Sequence, residues 1–279
     1  MADAALARFY EALPQDVLAM VGGTIDVDAH AMHRALRDPD DPTAGPSPAV
    51  LNRLIREALP GDGLVVLDAG CGWGGTLLGL ARHRGARGLG VTLSALQAET
   101  ATAQAAALGL GERVRFIAAD YTVHAFEPGA FDAITAVETL IHCPDKAAAL
   151  AHLAGALRPG GRLILVDDMP TGVRTPTTAR DLARFGEGWC APSMPDLAGW
   201  TALIEGAGLT VVATRDLTPL YAPRDAATLA PLIAAAEAGL VDPDPAAQGL
   251  RRGELGGFAL ESLYGAGAMA YQMVQAVRR

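Results

Sequence analysis

An apolar run that stops at an aspartate and breaks at once into spaced glycines leaves a chain few ways to fold. Residues 65–75 read Val-Val-Leu-Asp-Ala-Gly-Cys-Gly-Trp-Gly-Gly. The run ending in Asp68 predicts a buried parallel strand, and Gly70-x-Gly72-x-Gly74 predicts the turn that carries it into a helix. Glycine is needed there because the loop adopts positive φ and its backbone N–H groups approach a ligand with no Cβ in the way. Around this unit apolar runs alternate with helical patterns, the signature of a parallel sheet covered on both faces. The runs lie at 64–68, 88–91, 114–118, 131–137 and 163–167, and later ones at 210–214 and 268–277 complete the sheet. Helices are predicted at 76–84, 94–108, 146–157 and 196–207, several followed by stops such as Gly109 and Pro159-Gly160-Gly161.

With 279 residues, 51% of them hydrophobic, the chain can bury a sizeable core without a second domain. A net charge of −9 argues against an electropositive footprint for nucleic acid, so an anionic substrate would have to be met by local arginines. No apolar run approaches the roughly 20 residues of a membrane helix, and the N-terminus lacks a basic segment followed by an apolar one. A soluble, cytoplasmic protein without a membrane partner is expected. Cys71, Cys143 and Cys190 are odd in number and scattered, which suits reduced thiols better than a disulfide framework or a zinc site. The aspartates of Arg37-Asp38-Pro39-Asp40-Asp41-Pro42 fit a solvated turn better than a Mg²⁺ site, so no metal is expected. His30 and His33 are expected at the surface. Residues 3–21 and 46–59 look helical, the second capped by Ser47 with Pro48 in its first turn. The expected organisation is a helical N-terminal lid over 1–59 and one domain over 60–279, with homo-oligomerisation left open.

In such a sheet ligands collect at the carboxyl ends of the strands. A lone glycine-rich turn there serves a dinucleotide, a flavin or S-adenosylmethionine (SAM), or is merely a tight strand-to-helix turn. Asp68-x-Gly70-x-Gly72 has its acid just before the first glycine and lacks the dinucleotide spacing G-x-G-x-x-G. It resembles the first motif of the class I SAM-dependent methyltransferases. Gly90-Val91-Thr92-Leu93-Ser94 with Gln97 stands where an acid about 20 residues beyond the glycines is more usual. That segment resembles the cyclopropane-fatty-acid synthase, tocopherol and terpenoid C-methyltransferase group. The resemblance implies a Rossmann-like, mostly parallel seven-stranded α/β fold with SAM as cofactor. It places Thr92, Leu93 and Gln97 at the ribose, with Gln97 reaching back from the first helical turn. Asp120 would accept from the adenine amino group and Tyr121 would pack on the ring. The residues alone leave Ser94 as a helix cap and Asp120 as a turn cap. Phe9-Tyr10-Glu11 before Gly22-Gly23 is similar to the opening segment of the same group, which implies Tyr10 at the methionine end of the cofactor. The histidine-glycine pattern that commonly follows there is not evident here.

A SAM methyl group is already activated by its sulfonium, so a protein mainly aligns the acceptor and steers a proton. The fourth run ends Ala136-Val137-Glu138-Thr139-Leu140-Ile141-His142. The resembling group also carries a glutamate at the place of Glu138. In its cyclopropane enzymes the acid helps hold a bicarbonate, and in its prenyl diphosphate enzymes it is thought to take a proton from a carbocation. Glu138 is therefore the expected catalytic base, with His142 as a second base or an orienting group; contacts to backbone alone are the plain alternative. Residues 169–195 and 217–267 are expected to cover the substrate. Trp189, Trp200, Phe185, Tyr221, Phe258 and Tyr264 suggest either an apolar pocket or a small hydrophobic lobe. Arg174, Arg180, Arg184 and Arg224 suggest either a phosphate clasp or a solvated face. The first expectation is C-methylation of an alkene or prenyl-type small molecule in a closed pocket. O- or N-methylation of a small metabolite and a non-catalytic SAM-binding module are the alternatives.

Overall fold

A computed structural model describes residues 31, 33–241 and 245–279. The expected helix at 3–21, Tyr10 and His30 lie outside these residues. In chain order the elements are α1 (Pro48–Ala58), β1 (Val65–Ala69), α2 (Gly75–Arg84), β2 (Arg87–Thr92), α3 (Ala95–Ala107), β3 (Val114–Ala118), β4 (Phe131–Val137), a 3₁₀ turn (Leu140–His142), α4 (Lys146–Ala156) and β5 (Leu157–Pro170). There follow α5 (Pro176–Gly188), α6 (Leu197–Gly206), β6 (Leu209–Asp216), a second 3₁₀ turn (Thr218–Leu220), α7 (Ala226–Gly239), α8 (Pro245–Gly265) and β7 (Met269–Arg278).

The seven strands form one sheet in the order β3-β2-β1-β4-β5-β7-β6. The first five are parallel, whereas β7 runs antiparallel between β5 and β6. The Rossmann-like expectation is met, and the order reverses between β1 and β4, where ligands bind in open α/β sheets. β5 outruns its apolar core of 163–167 because its early residue Leu157 pairs with Phe131 and its distal end pairs with β7 as far as Pro170.

Leu51, Leu54 and Ile55 of α1 pack with Leu77 and Leu78 of α2 on one face of the sheet, and Leu150, Leu153, Trp200 and Ile204 of α4 and α6 pack on the other. Trp200 is fully buried, so it belongs to this core and not to a substrate pocket. Asp38 and Asp40 pair with Arg53 of α1, and no group of three metal-ligating side chains occurs among the described residues. His33, expected at the surface, is buried: its Nε2 meets Asn52 Oδ1 at 3.0 Å, and burial lowers its pKa. The three cysteines are free thiols. No helix of the described residues is long and apolar enough to cross a membrane.

Candidate active site

The carboxyl ends of the first five strands open into one cleft of about 240 Å³. Asp68, Gly70, Gly72, Thr92, Leu93, Gln97, Asp120, Tyr121, Glu138 and His142 all line it. At its floor the turn after β1 holds Gly70 at φ 73° and Gly74 at φ 85°, both left-handed. Neither has room for a side chain: a Cβ on Gly70 would fall inside the Thr139 side chain, and one on Gly74 would lie 2.8 Å from the Phe116 ring. Glycine here lets the turn press against the loop that follows β4.

Asp68 is 2% exposed. Its Oδ1 accepts from the Thr135 hydroxyl at 2.7 Å, while Oδ2 is buried with no hydrogen bond among the described residues. Burial outweighs the Thr135 hydroxyl and the Leu77 N–H and raises the carboxyl pKa to about 6. A buried carboxylate oxygen without a donor is costly, and a cationic group entering the cleft would relieve it.

At the end of β2 the buried Thr92 hydroxyl donates to Gln97 Oε1 at 2.6 Å. Ser94 caps α3 by accepting from the Gln97 N–H at 3.3 Å, so the capping reading holds and Gln97 still sits in the cleft wall. Asp120 also caps, its Oδ1 accepting from the Thr122 N–H at 2.9 Å and the Thr122 hydroxyl at 2.6 Å. The Tyr121 hydroxyl accepts from Thr139 Oγ1 at 3.1 Å and lies 3.0 Å from Cys143 Sγ, and burial pushes the phenol up.

Glu138 follows β4 with φ 50°, a left-handed conformation that costs a side-chain-bearing residue roughly 1–2 kcal/mol. Its N–H still donates to Val166 O at 2.8 Å, which keeps the residue tied to β5. The side chain lines the cleft, where Oε1 accepts from the Tyr271 hydroxyl at 2.6 Å and the Arg34 N–H at 3.1 Å. His142 sits one turn on. Burial lowers its pKa to about 4 against hydrogen bonds to the backbone of Trp189, Cys190 and Glu138, which leaves the imidazole neutral at physiological pH. Lys146 ties this turn down, its Nζ donating to the carbonyls of Ile141 and Cys143 at 2.9 Å each and to Ser193 Oγ at 3.0 Å.

Several members of the cleft were not singled out by sequence. Asp167 and Asp168 lie in β5 just past its pairing with β4, at the ligand edge; Asp167 accepts from the Ile141 N–H at 3.1 Å, and burial together with the neighbouring Asp168 charge raises its pKa well above the usual carboxylate value. Arg34 grips both oxygens of Asp168 at 2.5 and 3.1 Å. The Asp167-Asp168 pair at a strand's carboxyl end was the signal available in the sequence; nothing local marks Arg34.

Phe185, Trp189 and Leu260 of the expected cover supply an apolar wall. Tyr221 and Tyr264 surround Arg34 instead, and Phe258 stacks on Arg224. The four arginines considered as a phosphate clasp do not line the cleft. Arg184 is paired with Asp181 and Glu237, Arg224 with Glu261, and the exposed Arg180 with Asp181.

Residues 66–161 match the methyltransferase-domain family. Methyltransferase GfsG of Streptomyces halstedii is 34% identical over 194 residues, 68% of this chain and 68% of that protein. The chloroplastic tocopherol O-methyltransferase of Arabidopsis thaliana is 37% identical over 149 residues, 48% of this chain and 42% of that protein, so this match spans less than half of either. The geranyl diphosphate C-methyltransferase of Streptomyces coelicolor A3(2), solved with Mg²⁺, geranyl-S-thiolodiphosphate and S-adenosyl-L-homocysteine, superposes with a TM-score of 0.74. The superposition covers 100% of this chain and 99% of that one at 21% identity, a level that speaks for the fold alone.

Proposed function

The chain belongs to the class I SAM-dependent methyltransferases, and from that premise we propose that it methylates a hydroxyl of an uncharged, largely apolar small molecule, with Glu138 as the base. The observation that carries this reading is the make-up of the cleft beside Glu138. Val137, Ile141, Phe185, Trp189 and Leu260 form its apolar side, and Arg34, the one lysine or arginine lining it among the described residues, is committed to Asp168. Such a pocket favours a neutral substrate fixed by few polar groups. The O-methyltransferase name of the Arabidopsis relative points the same way.

Bound SAM supplies a methyl group activated by its sulfonium. In this reading the Asp68 Oδ2 receives the ammonium of the cofactor, Gln97 the ribose, and Asp120 with Tyr121 the adenine. Phe185, Trp189 and Leu260 cover the acceptor. Glu138 takes the hydroxyl proton as the new carbon–oxygen bond forms and the sulfur–carbon bond breaks, leaving S-adenosylhomocysteine and a protonated carboxyl. His142, neutral and tied to backbone, orients the turn.

Alkene C-methylation is the second reading, favoured by the carboxylate that Glu138 would offer to a carbocation proton. A prenyl diphosphate, however, would find in the described cleft five carboxylates and one neutralised arginine. The test is incubation with methyl-labelled SAM and a panel of hydroxylated aromatics, aliphatic alcohols and prenyl diphosphates. Labelled O-methyl product is expected, and a labelled C-methyl product alone would overturn the proposal.

Two substitutions test the cofactor side. Gln97→Ala is expected to weaken S-adenosylhomocysteine binding by roughly 0.5–1.5 kcal/mol, the scale of one neutral hydrogen bond, without slowing methyl transfer at saturating SAM. An unchanged dissociation constant by calorimetric titration would place the ribose elsewhere. Gly70→Val is expected to lose binding and to lower the melting temperature together, because the new side chain drives Thr139 and its loop away before it meets any ligand. Thermal unfolding at the parental temperature would show that the loop yields without cost.

A further inference from the structure

Arg34 is joined to five separate parts of the chain. Its guanidinium holds Asp168 of β5 and hydrogen-bonds the Tyr264 hydroxyl of α8 at 2.7 Å. It stands over the rings of Tyr221, Tyr264 and Tyr271 with centroid distances of 4.8, 4.9 and 4.7 Å. Tyr264 also donates to Asp168, and Tyr221 packs edge-on against Tyr264 at 4.9 Å. A guanidinium inside three aromatic faces and a bidentate carboxylate has little freedom left, since each face and each fork bond fixes a different direction.

What this rigidity fixes is the backbone of Arg34, whose N–H donates to Glu138 Oε1. The second donor to that same oxygen is the hydroxyl of Tyr271, whose ring is one wall of the arginine cage. We propose that Arg34 is the positioning residue for Glu138, clamping one carboxylate oxygen through its own N–H and through Tyr271 and leaving the other for the acceptor. The placement rests on the reading of Glu138 as base. Lysine would not serve: it has no planar fork for Asp168 and no flat face for the rings.

The charged and titratable groups facing Glu138 are His33 and Arg34 on the N-proximal segment, Asp167 on β5, Tyr264 on α8 and Tyr271 on β7. His142 touches its backbone. The test separates positioning from a merely structural role by a double-variant cycle. Arg34→Gln, Arg34→Lys and Tyr271→Phe are each expected to lower the single-turnover rate with labelled SAM by about tenfold while S-adenosylhomocysteine affinity stays near the parent, and Arg34→Gln added to Glu138→Gln is expected to cost no further rate, because the group being positioned is already gone. An unchanged rate in Arg34→Gln and Tyr271→Phe, or a full further loss in the double variant, would overturn the assignment. If Arg34→Gln fails to bind S-adenosylhomocysteine, Tyr271→Phe and its pairing with Glu138→Gln decide alone. Turnover of Glu138→Gln by itself tests the base, so a failure of that reading shows there and not in the cycle.

Discussion

Glu138→Gln is expected to lower turnover by about 10²-fold or more, the scale of a lost general base, while S-adenosylhomocysteine affinity changes by less than about 1 kcal/mol. The separation of the two effects follows from the geometry. A glutamine carbonyl oxygen at this place still accepts from the Tyr271 hydroxyl and the Arg34 N–H, so the side chain keeps its position and loses only its charge and basicity. The backbone link from the Glu138 N–H to Val166 O is untouched by the substitution. Single-turnover measurement with labelled SAM and the acceptor found in the panel reads the step directly. A rate within a few-fold of the parent with cofactor binding intact would take Glu138 out of the chemistry. His142 would not be a ready replacement, since a pKa of about 4 makes it a weak base at neutral pH.

Loss of the charge at Asp68 should be felt on the binding side instead. Asp68→Asn preserves the link to the Thr135 hydroxyl but presents a neutral oxygen, or a competing N–H, where Oδ2 now lies without a partner. Breaking a buried ion pair by removing one partner costs about 3–5 kcal/mol, which corresponds to a loss of roughly 10²–10³-fold or more in affinity for S-adenosylhomocysteine. The same argument predicts a pH dependence with a definite sign. In the free protein the carboxyl titrates at about 6, and an ammonium beside it favours the ionised form. Affinity is therefore full above pH 6 and falls, by up to tenfold per pH unit, as the pH drops below it. Calorimetric titrations at several pH values test this, and an affinity flat between pH 7 and 5 would mean that the cofactor ammonium is held by another group.

The parallel part of the sheet was legible because its signal is local: β3 and β4 fall at the predicted residues, and β1 and β2 within one residue at each end. The glycine turn and the residues after each strand were legible for the same reason, since the carboxyl edge of such a sheet is defined by where apolar runs stop. The clamp on Glu138 was hidden. Arg34 and Asp168 are 134 residues apart, and Tyr271 reaches Glu138 across 133. Nothing near any of the four residues in sequence announces the others. Trp200 misled by type: an indole suggests a binding pocket, but α6 turns it under the sheet, where Lys146 stands 6.0 Å from its ring. His33 misled because the partner that permits its burial, Asn52, stands 19 residues away on α1.

The position of β7 bears on the order in which the molecule can be built. Among the described residues β7 is the last strand in chain order, yet it lies inside the sheet, and β6 pairs there with no other strand. A ribosome-bound chain that has emerged as far as residue 265 carries the glycine turn, Asp68 and Gln97, but neither an anchor for β6 nor the Tyr271 hydroxyl. Until β7 slides between β5 and β6, the edge of β5 stays open to pairing with another chain. Domains form as they leave the ribosome, from the N-terminus onward, so the glycine turn and Glu138 can take their places while the Tyr271 donor to Glu138 is still missing. Premature termination anywhere in α8 would thus leave β6 without a partner strand and Glu138 without its Tyr271 donor.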